Sequence, residues 1–181
     1  METNNNVRSK TLQIVMCALC AAIIAVSAQV TVPLPTNVAI TLHTFGVALC
    51  AAVCGAFTGT VSTAVYVLIG AVGVPVFAGM RGGFAVLFGV TGGFLFGFIV
   101  MAFFCGINAG KIWQRLAFSL IGLAVCYLCG AVQYALITGT DFITSITLVV
   151  LPFAIKDILS VVAAQYMAIP IRKALSSALH Y

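Results

Sequence analysis

The sequence predicts an all-α integral membrane protein, a compact bundle of six transmembrane helices with both termini in the cytoplasm. Three observations lead to this prediction. Of the 181 residues, 63% are hydrophobic and only 6% are charged, whereas a soluble domain carries roughly 25% charged residues. The apolar residues form long stretches, and about 20 residues suffice for one crossing of a bilayer. Most basic residues lie in links that six crossings would bring to one side.

The first helix is predicted at about 11–30. It ends before the prolines of the link 32–37, because proline cannot continue a helix. Arg8 and Lys10 before the apolar run, and the small residues 26–28 after it, are also typical of a cleaved signal peptide. Because every later segment is apolar too, we expect an uncleaved first transmembrane helix, with the signal peptide as the alternative.

The apolar stretch from His43 to Val74 predicts two short helices, at about 44–57 and 59–72. As one helix this stretch would reach ~48 Å at ~1.5 Å per residue, which exceeds a hydrocarbon core of ~30 Å. Gly55, Thr58 and Gly59 lie near its middle and favour a break there.

A glycine-rich loop, 73–83, comes next and contains Arg81. The fourth helix is predicted at about 84–105 and the fifth at about 116–138, with the polar link 108–115 between them. A link around Asp141 leads to the last helix, at about 148–175. We expect the whole chain, 1–181, to form a single transmembrane domain.

The basic residues support the count of six helices. With six crossings, both termini and the link between the fourth and fifth helices share one side. That side holds six of the eight basic residues: Arg8, Lys10, Lys111, Arg115, Arg172 and Lys173. The positive-inside rule makes this side cytoplasmic, so we expect a multi-pass protein of the bacterial inner membrane. These residues form no continuous patch, so we expect the lipid bilayer, and no nucleic acid, as a partner.

The two remaining basic residues, Arg81 and Lys156, lie near the outer face, and Asp157 follows Lys156 directly. An ionisable side chain within a membrane costs about 2.5–3.5 kcal/mol on insertion scales, and such residues are often functional. Lys156 and Asp157 are adjacent on a helix and point about 100° apart, so we expect them not to pair directly. The alternative to a functional role is that Lys156 and Asp157 only neutralise each other, and that Arg81 is a solvated charge of the loop.

Together these residues predict a small outward-facing pocket. Gly79, Gly82 and Gly83 allow a close approach of the loop backbone. Aromatic residues nearby would supply apolar walls: Phe77, Phe84, Phe153 and Tyr134. Two positive charges against one negative charge suit a small monoanion.

Signatures of enzymes are missing from the sequence. It contains no G-x-x-x-x-G-K-[ST] phosphate loop, no H-E-x-x-H and no G-x-S-x-G. The seven cysteines all fall in apolar runs, which favours buried thiols over a disulfide framework or a metal site. We therefore expect no enzymatic activity, no metal and no cofactor.

Two glycine-rich segments resemble a known family signature. Gly73-Val-Pro-Val-Phe-Ala-Gly79, followed by Gly82-Gly83 and by Gly89-Val-Thr-Gly-Gly93, is similar to the pattern G-x-P-V-F-A-G…G-G…G-P-T-G-G-Y of the BioY family. These proteins are the biotin-specific substrate-binding (S) subunits of energy-coupling factor (ECF) transporters. The proline-rich link 32–36 and the sequence from Leu151 to Asp157 agree too, so the resemblance covers nearly the whole chain.

The resemblance implies six helices, cytoplasmic termini and a biotin pocket near the outer face, with biotin as transported ligand. It also implies a transmembrane coupling protein with two ATPase subunits as partners, in agreement with the missing phosphate loop. In such proteins the first helix docks through small residues four apart. Ala18 and Ala22, or Ala21 and Ala25, have this spacing, and packing inside the bundle is the alternative for either pair.

With biotin as the implied ligand, its chemistry suggests roles for the site residues. Asp157 would accept a ureido N–H of biotin, and main-chain N–H groups near Gly82 would reach the ureido carbonyl. The planar fork of Arg81 makes it the first choice for the carboxylate, and Lys156 is the second. The family commonly carries a lysine where this chain has Ser160, so the choice between them stays open. The rival function is a self-sufficient facilitator or carrier for biotin or another small anionic vitamin.

Overall fold

The computed structural model describes residues 2–32 and 40–179, which are almost entirely helical. The longer helices are α1 (Glu2–Gln29), α2 (His43–Cys54), α3 (Ala56–Ala71), α5 (Gly92–Cys105), α6 (Ile112–Thr138) and α8 (Leu151–Leu179). Two short helices, α4 (Phe84–Leu87) and α7 (Phe142–Val149), and an antiparallel pair of two-residue strands, β1 (Thr31–Val32) and β2 (Ile40–Thr41), complete the described part. The rest of the proline-rich link, 33–39, and the side chain of Arg8 lie outside it.

The first three helices run up, down and up. The Leu42 N–H, at the start of α2, donates to the carbonyl of Val30, just past the end of α1, at 3.1 Å. Near the opposite end of α2, the Cys54 sulfur lies 3.3 Å from that of Cys20. Helices α2 and α3 are joined through Gly55, which has a φ of +88°. The stretch that was predicted to break therefore breaks at a glycine in a backbone region that other residues rarely adopt.

The last three long helices continue this alternation. The Gln165 amide of α8 donates to Ser119 of α6 at 2.8 Å, and the Tyr127 hydroxyl of α6 reaches Asp157 of α8 at 2.8 Å, so these helices are antiparallel. Helices α2 and α8 are parallel, because α8 reaches the start of α2 through Lys156 and its end through Arg172.

The bundle thus has two distinct ends. The basic end contains the links α2–α3 and α5–α6 and the last turns of α8. There the Arg172 guanidinium donates to the Asn108 side chain at 2.8 Å and to the Val53 carbonyl at 3.3 Å, and Lys111 and Arg115 lie at the start of α6. The cavity end contains the starts of α2, α5 and α8 and the ends of α1, α3 and α6.

The predicted helix at 84–105 is wrong as a single element. The chain forms the short α4, leaves the helix over 88–91 and starts again as α5 at Gly92. The side-chain amide of Gln133 on α6 donates to the carbonyls of Leu87 and Gly89, both at 2.8 Å. A side chain from another helix thereby satisfies carbonyls that a continuous helix would have bonded internally.

The predicted last helix, 148–175, is also divided. Helix α7 begins after Asp141, whose carboxylate accepts from the Ile143 N–H at 3.1 Å as an N-cap. It ends at Val149, shortly before Pro152, which has no N–H to donate to the preceding turn. Helix α8 then continues from Leu151 to Leu179.

Within the described residues, three helical segments are long and apolar enough to cross a membrane: Lys10–Gln29, Ile112–Thr138 and Leu151–Ser177. Helices α2, α3 and α5 have 12, 16 and 14 residues and reach roughly 18–24 Å at ~1.5 Å per residue. They are apolar but shorter than a hydrocarbon core of ~30 Å. The protein is an all-helical membrane protein, and its six crossings remain a prediction.

Small residues let the helices pack closely in the core. A Cβ on Gly97 of α5 would lie 2.7 Å from the Cα of Cys126 on α6, and one on Gly122 would lie 2.8 Å from the Cβ of Phe104. Both contacts are too short for a larger residue, so α5 and α6 depend on glycine at these positions. All seven cysteines are free thiols, four buried and three half-buried.

Candidate functional site

A cavity lies at the cavity end, among the starts of α2 and α8, the 73–83 loop, α5 and α6. Its apolar wall is mainly aromatic and aliphatic, formed by Phe77, Phe94, Phe98, Leu123, Val149 and Phe153. Its polar wall includes Thr41, His43, Tyr127, Lys156, Asp157 and Arg81. A mostly apolar cavity with a few converging polar groups is typical of a small-molecule site.

The 73–83 loop is fixed by hydrogen bonds to α1. Phe77 and Arg81 exchange main-chain hydrogen bonds of 2.9 and 3.3 Å, which close a tight turn. The side-chain amide of Gln29, the last residue of α1, donates to the Val76 and Phe77 carbonyls at 3.0 and 3.2 Å, and it accepts from the Met80 N–H at 3.1 Å. The loop, which contributes Phe77, Ala78 and Arg81 to the cavity, is therefore held in place by α1.

Asp157 is the buried acid of the site, with 4% of its surface exposed. Its Oδ2 accepts from the Tyr127 hydroxyl at 2.8 Å, and its Oδ1 forms an ion pair with Lys156. The expectation that these neighbours would not pair was wrong, because the long lysine side chain folds back to the carboxylate. Lys156 also donates to the Thr41 carbonyl, so a polar network connects the start of α2 with α6 and α8.

Arg81 lies in the exposed part of the cavity wall, on the 73–83 loop. Its Nε donates to the Ala78 carbonyl at 3.2 Å. Within the described residues, the two terminal guanidinium nitrogens have no hydrogen-bond partner. They are therefore available to an anionic group at the cavity.

Not all the residues that sequence reasoning assigned to the pocket line the cavity. Gly82 packs against the Val74 carbonyl at the start of its own loop, and the Gly83 N–H donates to the Gly70 carbonyl at 2.7 Å. Phe84 is 63% exposed and lies outside the cavity wall. Tyr134 is buried behind the wall, packed with Val149 and Phe153.

Comparison with known proteins identifies the family. The family model described as BioY matches residues 1–177. The chain belongs to the BioY family. A probable biotin transporter BioY of Pyrococcus horikoshii is 38% identical over 159 residues, which cover 88% of this chain and 95% of that protein. The biotin transporter BioY of Thermotoga maritima is 38% identical over 165 residues, covering 89% and 96%, and BioY2 of Lactococcus lactis is 33% identical over 172 residues, covering 93% and 94%.

The BioY fold is also seen in a solved structure. The crystal structure of the S-component for biotin from an ECF-type ABC transporter matches this chain with a TM-score of 0.83. The match covers 92% of this chain and 93% of that one, at 21% sequence identity. The two proteins therefore share one fold.

The α1 alanines that the sequence offered as a partner contact differ in exposure. Ala18 and Ala22 are exposed on the outside of the bundle. Ala21 is buried and Ala25 is half-buried, and both pack in the hydrophobic core. Only in the first pair are both residues exposed.

Several polar residues of this BioY cavity were not assigned to it from the sequence, among them Tyr127 and His43. Tyr127 carries a phenol inside an apolar helix, and a buried phenol usually finds a hydrogen-bond partner. That signal could have suggested contact with the one acidic residue of the later apolar segments. His43 was not assigned to the pocket either. Its position at the start of an apolar helix, after an irregular link, was the available signal.

Proposed function

We propose that this BioY-family protein binds biotin in the cavity and serves as the substrate-binding subunit of an ECF transporter for biotin uptake. The relatives that match most of the chain are named biotin transporters. The observation that carries the proposal is an aromatic cavity with a single buried carboxylate, Asp157. Biotin combines an apolar ring system, two ureido N–H donors and a carboxylate tail, so each type of wall has a counterpart on the ligand.

In this proposal the whole chain, 1–181, is one domain that crosses the bacterial inner membrane six times, with both termini in the cytoplasm. The alternating helix directions support six crossings. The placement of Lys111, Arg115 and Arg172 at the basic end supports a cytoplasmic position for that end. The cavity then faces the outside, where biotin is captured. The protein acts as a transport subunit, without enzymatic activity of its own, a cofactor or a metal.

Asp157 accepts a ureido N–H of biotin in this proposal. The Tyr127 hydroxyl occupies one oxygen of its carboxylate, which fixes the orientation of the group before the ligand arrives. The other oxygen, Oδ1, has no hydrogen-bond partner among the described residues, although it pairs electrostatically with Lys156. A charge-assisted hydrogen bond at this atom is worth about 1.5–3 kcal/mol.

Arg81 binds the biotin carboxylate. Its terminal nitrogens lack partners in the described part of the chain, and its planar fork matches a carboxylate with two parallel hydrogen bonds. Lys156 is the second choice, because its ammonium group is already engaged by Asp157 and the Thr41 carbonyl. Phe77 and Phe153, which line the cavity, cover the ring system.

The proposed partners are a transmembrane coupling protein and two ATPase subunits. In this proposal such partners supply the energy, in agreement with a sequence that has no phosphate-binding loop. The exposed Ala18 and Ala22 form the contact surface on α1, since small residues four apart let two helices approach closely in a membrane. Ala21 and Ala25 contribute to packing inside the bundle instead.

Titration calorimetry with purified, detergent-solubilised protein tests the binding function. We expect tight binding of about one biotin per chain, and no heat signal from thiamine or riboflavin used as control vitamins. Failure of folded protein to bind biotin would contradict the proposal and would mean that this BioY-family cavity takes another ligand.

A further inference from the structure

His43 is a buried polar residue in the cavity wall that the proposed binding mode has not yet used. It is the first residue of α2 and is 3% exposed. Its ring lies 5.0 Å from that of Tyr66, edge-on, and 4.2 Å from that of Phe98. These two contacts hold the imidazole in one orientation inside an aromatic part of the cavity.

The Nε2 atom of His43 is buried and has no hydrogen-bond partner among the described residues. Buried polar atoms in native proteins are nearly always paired, because leaving one unpaired destabilises the structure. The exceptions call for an explanation, and a bound ligand is one. Asp157 Oδ1 in the same cavity also lacks a hydrogen-bond partner among the described residues, although it is ion-paired with Lys156.

The polar network places His43 on the same side of the cavity as Asp157. The carboxylate of Asp157 pairs with Lys156, and Lys156 donates to the Thr41 carbonyl. The main-chain N–H of His43 donates to the Thr41 hydroxyl at 3.4 Å. His43 and Asp157 are thus joined by one run of contacts across the starts of α2 and α8.

The ureido carbonyl of biotin needs a hydrogen-bond donor that the 73–83 loop does not provide. Main-chain N–H groups near Gly82 were expected to reach the ureido carbonyl, but Gly82 does not line the cavity, and the Gly83 N–H already donates to Gly70. The Tyr127 hydroxyl donates to Asp157 and is also occupied.

We infer that His43 is the donor to the ureido carbonyl, through an imidazole that carries its proton on Nε2. Resting on the proposed binding of biotin, this assignment makes His43 a specificity-determining residue. Asp157 accepts an N–H of the ureido group while His43 donates to its carbonyl, so the two residues together recognise a cyclic urea. A site built from such paired polar atoms rejects ligands that leave one of them unpaired.

Two variants separate hydrogen bonding from packing. His43→Phe keeps an aromatic ring and removes the donor, whereas His43→Gln removes the ring and retains an N–H donor. We expect His43→Phe to weaken biotin binding by about 10-fold or more, as for the loss of one buried hydrogen bond. We expect His43→Gln to remain within about threefold of the parent, which corresponds to less than half of that loss in free energy. Titration calorimetry gives the affinities, and size-exclusion profiles and melting temperatures check folding.

A ligand analogue tests the same hydrogen bond by changing the acceptor on the ligand. In 2-iminobiotin an imino nitrogen, protonated at neutral pH, replaces the carbonyl oxygen and donates instead of accepting. We expect the parent protein to bind 2-iminobiotin at least about 10-fold more weakly than biotin. In the His43→Phe variant we expect a smaller ratio between the affinities for biotin and 2-iminobiotin. If His43→Phe does not fold, His43→Met removes the donor with a flexible apolar side chain.

Several results would overturn the inference. The first is an unchanged biotin affinity in the folded His43→Phe or His43→Met variant. The second is an equal loss of biotin affinity in His43→Gln and His43→Phe. The third is equally tight binding of 2-iminobiotin and biotin by the parent protein. A parent protein that does not bind biotin at all would instead refute the proposed function. The two failures are therefore distinguishable.

Discussion

At the residue scale, Asp157 shows how a carboxylate is kept inside an apolar bundle. One oxygen accepts from Tyr127 and the other pairs with Lys156. Asp157 is buried while the Lys156 side chain keeps 30% of its surface exposed, so the carboxylate depends on both partners to offset its removal from water. The network is therefore both a structural link between α6 and α8 and a prepared acceptor for a ligand.

Replacing Asp157 by Asn should weaken biotin binding by about 10-fold to 100-fold, since a charge-assisted hydrogen bond is worth about 1.5–3 kcal/mol. Asparagine keeps the shape of the side chain but loses the charge. Titration calorimetry measures the change. Ser160→Ala, which alters another buried polar residue of α8, is the matched control and should leave the affinity near that of the parent. An unchanged affinity of Asp157→Asn would exclude the proposed role.

Replacing Arg81 by Ala should weaken the binding of free biotin and leave that of biotin methyl ester unaffected. The ester has no carboxylate charge for the guanidinium to bind. Arg81→Lys keeps the charge without the planar fork and should give an intermediate affinity. Equal losses for acid and ester in Arg81→Ala would show that Arg81 supports the loop and does not contact the carboxylate.

At the element scale, the break between α4 and α5 depends on Gln133. Its amide satisfies the carbonyls of Leu87 and Gly89, and the cavity residues Val86 and Thr91 flank this turn. The glycine-rich segment thus takes its shape from a side chain on another helix. A wall of the cavity depends on that contact.

Gln133→Leu should lower the melting temperature and weaken biotin binding. Two carbonyls would lose their donor, at about 1–3 kcal/mol for each buried group left unpaired, and the wall at α4 and α5 would shift. Melting curves in detergent and calorimetry give the two readouts. Gln13→Leu, on the exposed face of α1, is the control and should change neither. A Gln133→Leu protein that melts and binds like the parent would show that the break is intrinsic to the glycines.

A second prediction at this scale concerns the exposed alanines of α1. Ala18→Leu and Ala22→Leu should reduce biotin uptake in cells that contain the coupling partners while leaving biotin binding to the purified protein unchanged. Bulky residues would prevent the close approach of a partner helix. Ala124→Leu, an equally exposed alanine on α6, should retain normal uptake. Normal uptake by both α1 variants would place the partner contact elsewhere.

At the scale of the whole molecule, the cavity occupies one end of the bundle and packed side chains fill the middle. Met101, Ala102 and Val161 are completely or almost completely buried there, and the Gln165 amide is bonded to Cys105 and Ser119. A ligand bound at the cavity end is thus separated from the basic end by close-packed core.

This arrangement predicts that the protein binds biotin by itself but does not transport it by itself. In cells that lack coupling ATPases, we expect its expression to give no biotin accumulation, and co-expression of the coupling protein and two ATPase subunits to establish uptake. Radiolabelled biotin provides the assay, and the Asp157→Asn protein with the same partners is the control. Equal uptake with and without the partners would favour the self-sufficient facilitator.

The sequence alone was sufficient for the class of protein, the family and much of the helix order. Membrane helices are specified by local composition, because a bilayer requires about 20 consecutive apolar residues and internally satisfied backbone groups. The break at Gly55 and the charged residues of the cavity also follow from local signals, namely glycine within a long apolar run and ionisable groups at membrane depth.

Only the tertiary structure determined which residues meet. The contact of Lys156 with Thr41 joins residues 115 positions apart, the Tyr127–Asp157 bond joins residues 30 apart, and the two Gln133 bonds span 46 and 44 positions. Such contacts depend on helix packing and on side-chain direction, neither of which is encoded in a local pattern. For the same reason the pairing of Lys156, the burial of His43 and the break between α4 and α5 became visible only once the helices were assembled around the cavity.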